Sequence, residues 1–154
     1  MKNIDDVIRF SKSTETYGIF SNFAPTPFEL DGRTWPTAEH FYQAAKTEVP
    51  EEIEAIANAE SAKEAKRLGN GATLRPHWNE LRDDVMRRAL AAKYAIPGCR
   101  ATLLSTGESR LIEHAPWDKY WGDGGDDSGQ NRLGELLMEL REQIREEESE
   151  QEDE

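Results

Sequence analysis

The sequence lacks several features that would assign a protein to a class at once. It has one cysteine among 154 residues, so Cys99 can join neither an internal disulfide nor a multi-cysteine zinc site. It has no apolar run long enough to cross a bilayer. Its first residues lack the apolar core of a signal peptide. We therefore expect a cytoplasmic protein with no membrane partner.

Basic residues are in the minority. The chain holds 19 Lys and Arg against 31 Asp and Glu, a formal net charge of −12. Seven of those acids fall within residues 145–154, beside one base and no apolar residue. We predict one domain over residues 1–145 and an acidic, disordered tail over residues 146–154. An acidic surface repels phosphate backbones, so we expect no bulk DNA binding.

The order of turn and helix patterns predicts the fold class. Asp31-Gly32 indicates a hairpin turn, and Thr37 indicates the N-cap of a helix that reaches Val49. In that helix Glu39, Gln43 and Lys46 fall within a sector of about 60°. Further helices are predicted from residue 50, over residues 61–69, 79–94 and 132–145, and short strands at residues 7–10 and 111–114. The second of these helices is predicted to begin with a capping box at Ser61, and the third to have Leu81 on its buried side. The last is predicted to carry an apolar stripe of Leu133, Leu136, Leu137, Leu140 and Ile144. The chain is thus predicted to be α+β, a helix-rich single domain with a small β-sheet from its N-terminal half.

The segment from Trp121 to Asn131 is the least core-like part of the chain. It holds four glycines and three aspartates directly before a predicted helix. Clustered glycines indicate special backbone angles or close approach to a bound group, and a solvated turn explains the pattern equally well. A calcium loop is rejected, because its first ligand position would be Gly124.

Four other features each have a structural and a functional interpretation. Glu39 suits the first turn of a helix by electrostatics alone, or serves as a carboxylate in a pocket with Lys46. His40 is interpreted as a packing or capping residue, and no metal site is predicted. The loop Ser21-Asn22-Phe23 suits stacking on a flat ring or an ordinary turn. The cations near Trp78 suit a phosphate or a plain helix surface.

Five motifs follow one another along the chain. They are Tyr17-Gly18-Ile19-Phe20-Ser21-Asn22-Phe23, Trp35 through Lys46, Val85 through Lys93, Leu111-Ile112-Glu113-His114 and Tyr120 through Gly134. In this order they resemble the NADAR superfamily, the NAD- and ADP-ribose-associated domains, most closely its bacterial YbiA-like branch. The resemblance covers about residues 10–145 and excludes the acidic tail.

The resemblance implies a YbiA-like fold and an N-glycosidase. The substrate it implies is a small phosphorylated ribosyl compound, an early riboflavin-pathway intermediate whose ribose–aminopyrimidine C–N bond is cleaved. This activity would remove reactive intermediates before they cause damage. One alternative is a hydrolase that removes ADP-ribose from guanine in nucleic acid, and another is a non-catalytic ADP-ribose or nucleotide-binding module. No cofactor is expected.

The resemblance also implies roles for particular residues. Glu39 and Asp123 are the carboxylates that would stabilise positive charge at the anomeric carbon. Lys46 is the first choice, and Lys93 the second, for a lysine that forms a Schiff base with that carbon. The predicted substrate-binding residues are Ser21, Asn22, Phe23, Trp78, Arg88, Lys93, Trp121 and Asn131.

Overall fold

A computed structural model of the protein describes residues 6–152. Within that range the strands and helices follow in a fixed order. They are β1 (Val7–Phe10), β2 (Phe28–Leu30), β3 (Arg33–Trp35), α1 (Ala38–Ala44), α2 (Pro50–Ala57), α3 (Ala62–Asn70), α4 (Trp78–Lys93), α5 (Pro97–Ser105), β4 (Arg110–Glu113) and α6 (Arg132–Glu152). The α+β class predicted from the sequence is confirmed, as are the strands β1 to β4. The described helices include none that is both long enough and apolar enough to span a membrane.

The chain divides into two compact units, which we describe separately. One unit comprises residues 12–93. Its β2–β3 hairpin turns at Asp31 and Gly32, both at positive φ, as the sequence predicts. Helix α1 is buried at every position and packs against α2, α3 and α4. A helix buried on all sides holds its polar residues at fixed positions, and this matters for the candidate site.

Helix α1 is shorter than the sequence predicts. It ends at Ala44 rather than near Val49. Thr47 turns the chain out of the helix, since its Oγ1 accepts a hydrogen bond of 3.1 Å from the Val49 N–H. Pro50 then begins α2 and disfavours helical geometry at the residue before it. Lys46 therefore lies in the turn after α1, so the prediction that it shares a helix face with Glu39 is wrong.

In α3 and α4 one prediction is confirmed and two are wrong. The capping interaction at Ser61 is confirmed, because its Oγ accepts a hydrogen bond from the Glu64 N–H. Gly69 does not end α3 but lies inside it, where Gln43 of α1 packs against its backbone. In α4, Leu81 was expected on the buried side and is 38% exposed.

The second unit comprises residues 1–11 and 94–154, of which residues 6–11 and 94–152 are described. Here β1 pairs in parallel with β4, so this sheet contains one strand from each half of the sequence and does not come from the N-terminal half alone. Helix α6 packs on β4. Its buried side carries Leu133, Leu136, Leu137 and Ile144, as predicted, and also Arg141.

The acidic segment continues α6 rather than forming a disordered tail. The helix extends to Glu152, seven residues beyond the predicted end at Arg145. Glutamate is a good helix former, and an ion pair of 3.1 Å joins Glu148 to Arg100 of α5. Residues 153 and 154, the remainder of the predicted tail, lie outside the described residues.

Candidate active site

The loop before β2 is held in place by a buried lysine. Lys93, which is 0% exposed, donates hydrogen bonds from Nζ to the carbonyl oxygens of Ile19 (2.5 Å) and Ser21 (3.1 Å). Ser21 in turn accepts a hydrogen bond of 3.1 Å from the Phe23 N–H. The Lys93 ammonium thus contacts protein backbone, and the predicted binding of substrate by Lys93 stays a prediction. Lys93 positions the loop that carries Ser21, Asn22 and Phe23.

Glu39 lies beside this loop, in the first turn of α1. Its backbone N–H donates a hydrogen bond of 3.0 Å to the carbonyl oxygen of Asn22. Its carboxylate is buried, and Oε1 accepts a hydrogen bond of 2.6 Å from Nε2 of Gln43, one helical turn later. The side chain is thus held against α1 and does not point into bulk solvent. This arrangement favours the pocket interpretation of Glu39.

Lys46 is the lysine closest to Glu39 in the sequence, and its surroundings lower its pKa. Its Nζ lies 5.6 Å from the centre of the Tyr42 ring. Burial lowers the pKa of Lys46 below 10.5, the Glu39 carboxylate acts in the opposite direction, and the Lys66 ammonium lowers the pKa further. A larger fraction of this lysine is therefore uncharged, which is the form that attacks carbon. The structure brings Glu39 and Lys46 within electrostatic range despite the end of the helix between them.

Two amide oxygens beside Glu39 are buried without a hydrogen-bond donor. Among the described residues nothing donates to Asn22 Oδ1 or to Gln43 Oε1. The Asn22 amide nitrogen makes one long contact, of 3.6 Å, with the sulfur of Met86. Buried acceptors without donors are costly and occur in few places. Gln43 Oε1 faces the Gly69 backbone of α3, so of these two oxygens Asn22 Oδ1 is the one that suits a donor group of a ligand.

The other predicted residues of this unit lie in different surroundings. Trp78 is buried and packs on Tyr42, with ring centres 5.3 Å apart, so it supports the ring beneath Lys46. Arg88 forms an ion pair of 2.5 Å with Asp31 of the hairpin turn. Phe23 is 36% exposed. Its ring is therefore accessible for stacking, whereas the Arg88 guanidinium already has an anionic partner.

Asp123, in the other unit, is a buried carboxylate with a full set of partners. Oδ1 accepts hydrogen bonds from the N–H groups of Ala115 (3.0 Å) and Gly125 (2.8 Å), and Oδ2 lies 3.0 Å from Nδ1 of His114. Burial raises the pKa of Asp123, but the hydrogen bonds from His114, Gly125 and Ala115 outweigh it and lower the pKa to about 2. The ionised carboxylate closes its loop and orients the half-exposed His114. Direct contact of Asp123 with substrate stays a prediction.

The backbone conformation of the rest of this loop depends on Asn131 and on the glycines. Asn131 accepts a hydrogen bond from the Glu113 N–H and donates one to the Leu111 carbonyl, both at 2.9 Å, so its amide caps the edge of β4. Gly124 and Gly125 adopt positive φ, and a Cβ on Gly129 would lie 2.3 Å from the Gly122 carbonyl oxygen. The glycines are therefore required by backbone geometry. Trp121 is half-buried, and its ring packs edge-on against that of Tyr120.

His40 has the packing and capping role predicted for it. The Thr37 hydroxyl lies 2.8 Å from its Nδ1, and the Ala59 carbonyl lies 3.1 Å from its Nε2. Since a carbonyl only accepts, Nε2 carries the proton. In residues 6–152, no three His, Cys, Asp or Glu side chains are grouped so as to hold a metal ion.

Three residues that interact with Lys46 or Asp123 in the structure were not predicted from the sequence. Tyr42 and Lys66 contact or influence Lys46, and His114 pairs with Asp123. Tyr42 lies four residues before Lys46, a spacing at which side chains meet on a helix, so its contact was within reach of the sequence. Nothing in the sequence indicates that α3 packs on α1, and this packing places Lys66.

The family model for the NADAR domain matches residues 9–145 of this chain. The chain belongs to the NADAR family. It is 46% identical over 137 residues to N-glycosidase YbiA of Escherichia coli (strain K12), covering 87% of this chain and 86% of that protein. The NMR structure of the E. coli protein YbiA superposes with a TM-score of 0.89, at 45% identity, over 97% of this chain and 90% of the other.

A further relative has a different name. The chain is 37% identical over 138 residues to a riboflavin biosynthesis protein of Vibrio vulnificus, covering 88% of this chain and 38% of that protein. The matched part of this NADAR chain thus corresponds to a minor part of the larger relative. The family assignment rests on the two YbiA comparisons and on the family model, which all cover most of the chain.

Proposed function

We propose that this NADAR protein hydrolyses the C–N bond between ribose phosphate and an aminopyrimidine in early intermediates of riboflavin biosynthesis. The protein is an N-glycosidase, because it is similar over most of its length to relatives named N-glycosidase. The name of the Vibrio relative supports the riboflavin connection. The structural observation that carries the proposal is Lys46, an amine of lowered pKa within electrostatic range of the buried Glu39.

The reaction that this pair suits has two stages. The uncharged Nζ of Lys46 attacks the anomeric carbon, and the C–N bond to the base breaks with its electron pair leaving on the base nitrogen. That nitrogen takes up a proton. The lysine nitrogen then loses a proton, the ribose ring opens at its C1′–O4′ bond, and O4′ takes up a proton, which leaves a protonated Schiff base between Nζ and C1′. Water then adds to the same carbon, which releases ribose phosphate and regenerates the lysine. One water is consumed overall.

Glu39 fits the charge that develops in this sequence. Positive charge builds on the anomeric carbon and then on the Schiff-base nitrogen, and a buried carboxylate stabilises both more strongly than an exposed one would. The hydrogen bond from Gln43 fixes the carboxylate. The unpaired side-chain oxygen of Asn22 supplies an acceptor for an amino group of an aminopyrimidine or a hydroxyl of ribose. Phe23 supplies an accessible ring for stacking on the base.

Turnover of defined substrates tests the proposal directly. Purified protein is incubated separately with 5-amino-6-ribosylaminouracil 5′-phosphate and with ADP-ribosylated guanosine, and released base and sugar are quantified. We expect release from the aminopyrimidine compound. Release from ADP-ribosylated guanosine alone would move the substrate to the guanine-linked class, and release from neither would overturn the proposed activity.

Borohydride reduction during turnover tests the lysine. Reduction converts the Schiff base into a stable amine, so the sugar stays attached and peptide mass spectrometry locates it. We expect the adduct on Lys46, its loss in Lys46→Ala and its retention in any Lys93→Ala protein that folds. An adduct on Lys93 in the wild-type protein would reverse the assignment.

A further inference from the structure

Helix α3 carries Lys66, whose charge acts on Lys46. Helices α1 and α3 approach closely, because the Gln43 side chain packs directly on the backbone of Gly69. A Cβ at Gly69 would lie 2.0 Å from Gln43 Oε1. Lys66 lies three residues before Gly69, nearly one turn earlier, and is half-buried beside the buried Ala65. Lys66 therefore lies within one turn of the α3 residue that contacts Gln43, and its charge acts on Lys46.

Lys46 and Lys66 are two like charges in mutual electrostatic range. The Lys66 charge lowers the pKa of Lys46. Yet neither ammonium forms an ion pair with a carboxylate among residues 6–152. Glu64, on the turn of α3 that precedes Lys66, is engaged by Arg67. The Glu39 carboxylate acts on Lys46, whereas Lys66 has no ion-pair partner among residues 6–152. A half-buried cation without an ion-pair partner suits an anionic group of a ligand.

We propose that Lys66 binds the phosphate of the ribosyl substrate while Lys46 reacts with its anomeric carbon. The inference rests on the proposed function and adds a residue to it. Both groups belong to one small sugar phosphate, so two neighbouring lysines can each contact one of them. Arg88, which the sequence suggested for the phosphate, is paired with Asp31. Lys66 is a half-buried cation of the same unit with no such partner in the described residues.

Binding measurements with three ligands test this role. Ribose 5-phosphate, ribose and inorganic phosphate are titrated by calorimetry into the wild-type protein, Lys66→Gln and Lys63→Gln. Lys63 is the matched control, since it lies on α3 and is exposed. We expect ribose 5-phosphate to bind more tightly than ribose, and Lys66→Gln to weaken it about tenfold, as loss of one charged hydrogen bond implies. Lys63→Gln should bind as the wild type does.

Kinetics separate this inference from the proposed substrate. If the wild type releases the aminopyrimidine, Lys66→Gln should raise KM about tenfold, and Lys66→Arg should restore most of the affinity. An unchanged KM would overturn the role of Lys66 while the proposed function stands. If the wild type releases no aminopyrimidine but binds ribose 5-phosphate through Lys66, the inference stands and the substrate is wrong. Equal affinity for ribose and ribose 5-phosphate, or tight binding of inorganic phosphate alone, would overturn the inference.

Discussion

Nδ1 of His114 lies 3.0 Å from Oδ2 of Asp123, a carboxylate that is 2% exposed. Because the carboxylate is ionised and only accepts, His114 must donate from Nδ1. Its other ring nitrogen, Nε2, then carries either a lone pair or the second proton. The pairing therefore selects the tautomer of the one half-exposed histidine in this unit, and it makes the stability of the loop depend on the charge of Asp123.

The first prediction concerns that charge. The folded pKa of Asp123 is about 2, against an ordinary value of 3.8. Because the folded pKa is the lower one, the stabilisation is complete above about pH 4 and is lost as the pH falls through about 2. It amounts to about 2 kcal/mol. Asp123→Asn should lose about that much stability at pH 7 in urea unfolding, and should show a smaller loss between pH 4 and pH 2 than the wild type.

The exposed Asp127 provides the control for Asp123. It forms an ion pair with Arg9, at 3.0 Å, but its side chain is 63% exposed, so Asp127→Asn should change stability by well under 1 kcal/mol. Equal effects of the two substitutions would contradict the burial argument.

The second prediction concerns the two groups that act on Lys46 in opposite directions. Glu39 raises the pKa of Lys46, and Lys66 lowers it. Glu39→Gln should therefore move the titration of Lys46 to lower pH, and Lys66→Gln should move it to higher pH. The rate of Lys46 acetylation as a function of pH, followed by mass spectrometry, measures both shifts. The exposed Lys63 within the same sample is the internal reference, and shifts of equal sign in the two variants would refute the arrangement.

The third prediction separates the structural lysine from the reactive one. Lys93→Met removes the ammonium that donates to the carbonyl oxygens of Ile19 and Ser21. A hydrogen bond from a charged group contributes about 1.5–3 kcal/mol, so we expect a loss of about 3 kcal/mol in urea unfolding. Lys46→Met, at a half-buried site where Nζ makes no hydrogen bond to the described residues, should lose much less stability while abolishing the borohydride adduct. The reverse pattern would exchange the two roles.

The fourth prediction concerns the contact between α1 and α3. Gly69→Ala would place its Cβ 2.0 Å from Gln43 Oε1, so the two helices must separate or Gln43 must leave Glu39. We expect a loss of about 2 kcal/mol in stability together with a lower kcat. Gly71→Ala is the matched control, because the nearest atom to its Cβ is 3.8 Å away, an ordinary contact. A Gly69→Ala protein with wild-type kcat and stability would show that this contact does not hold the site.

Local patterns in the sequence were sufficient for much of the fold. The Thr37 N-cap, the Asp31-Gly32 hairpin and the apolar stripe of α6 were each predicted from neighbouring residues, because caps, turns and helix faces depend on chemistry within a few positions. The same locality led to two errors. The end of α1 and the helical state of residues 146–152 depend on Thr47 and on Arg100, which act through contacts that periodicity does not record.

The candidate site divides in the same way. The sequence by itself determined the family, because the motifs and their order can be read without a structure. It also identified Glu39 and Lys46 as candidate site residues. Only the tertiary structure showed that Lys93 holds a loop, that Asn131 caps a strand and that Lys66 of α3 acts on Lys46. These roles depend on how deeply each side chain is buried and on which polar or charged groups lie near it. Both are properties of packing between segments that lie far apart in the chain.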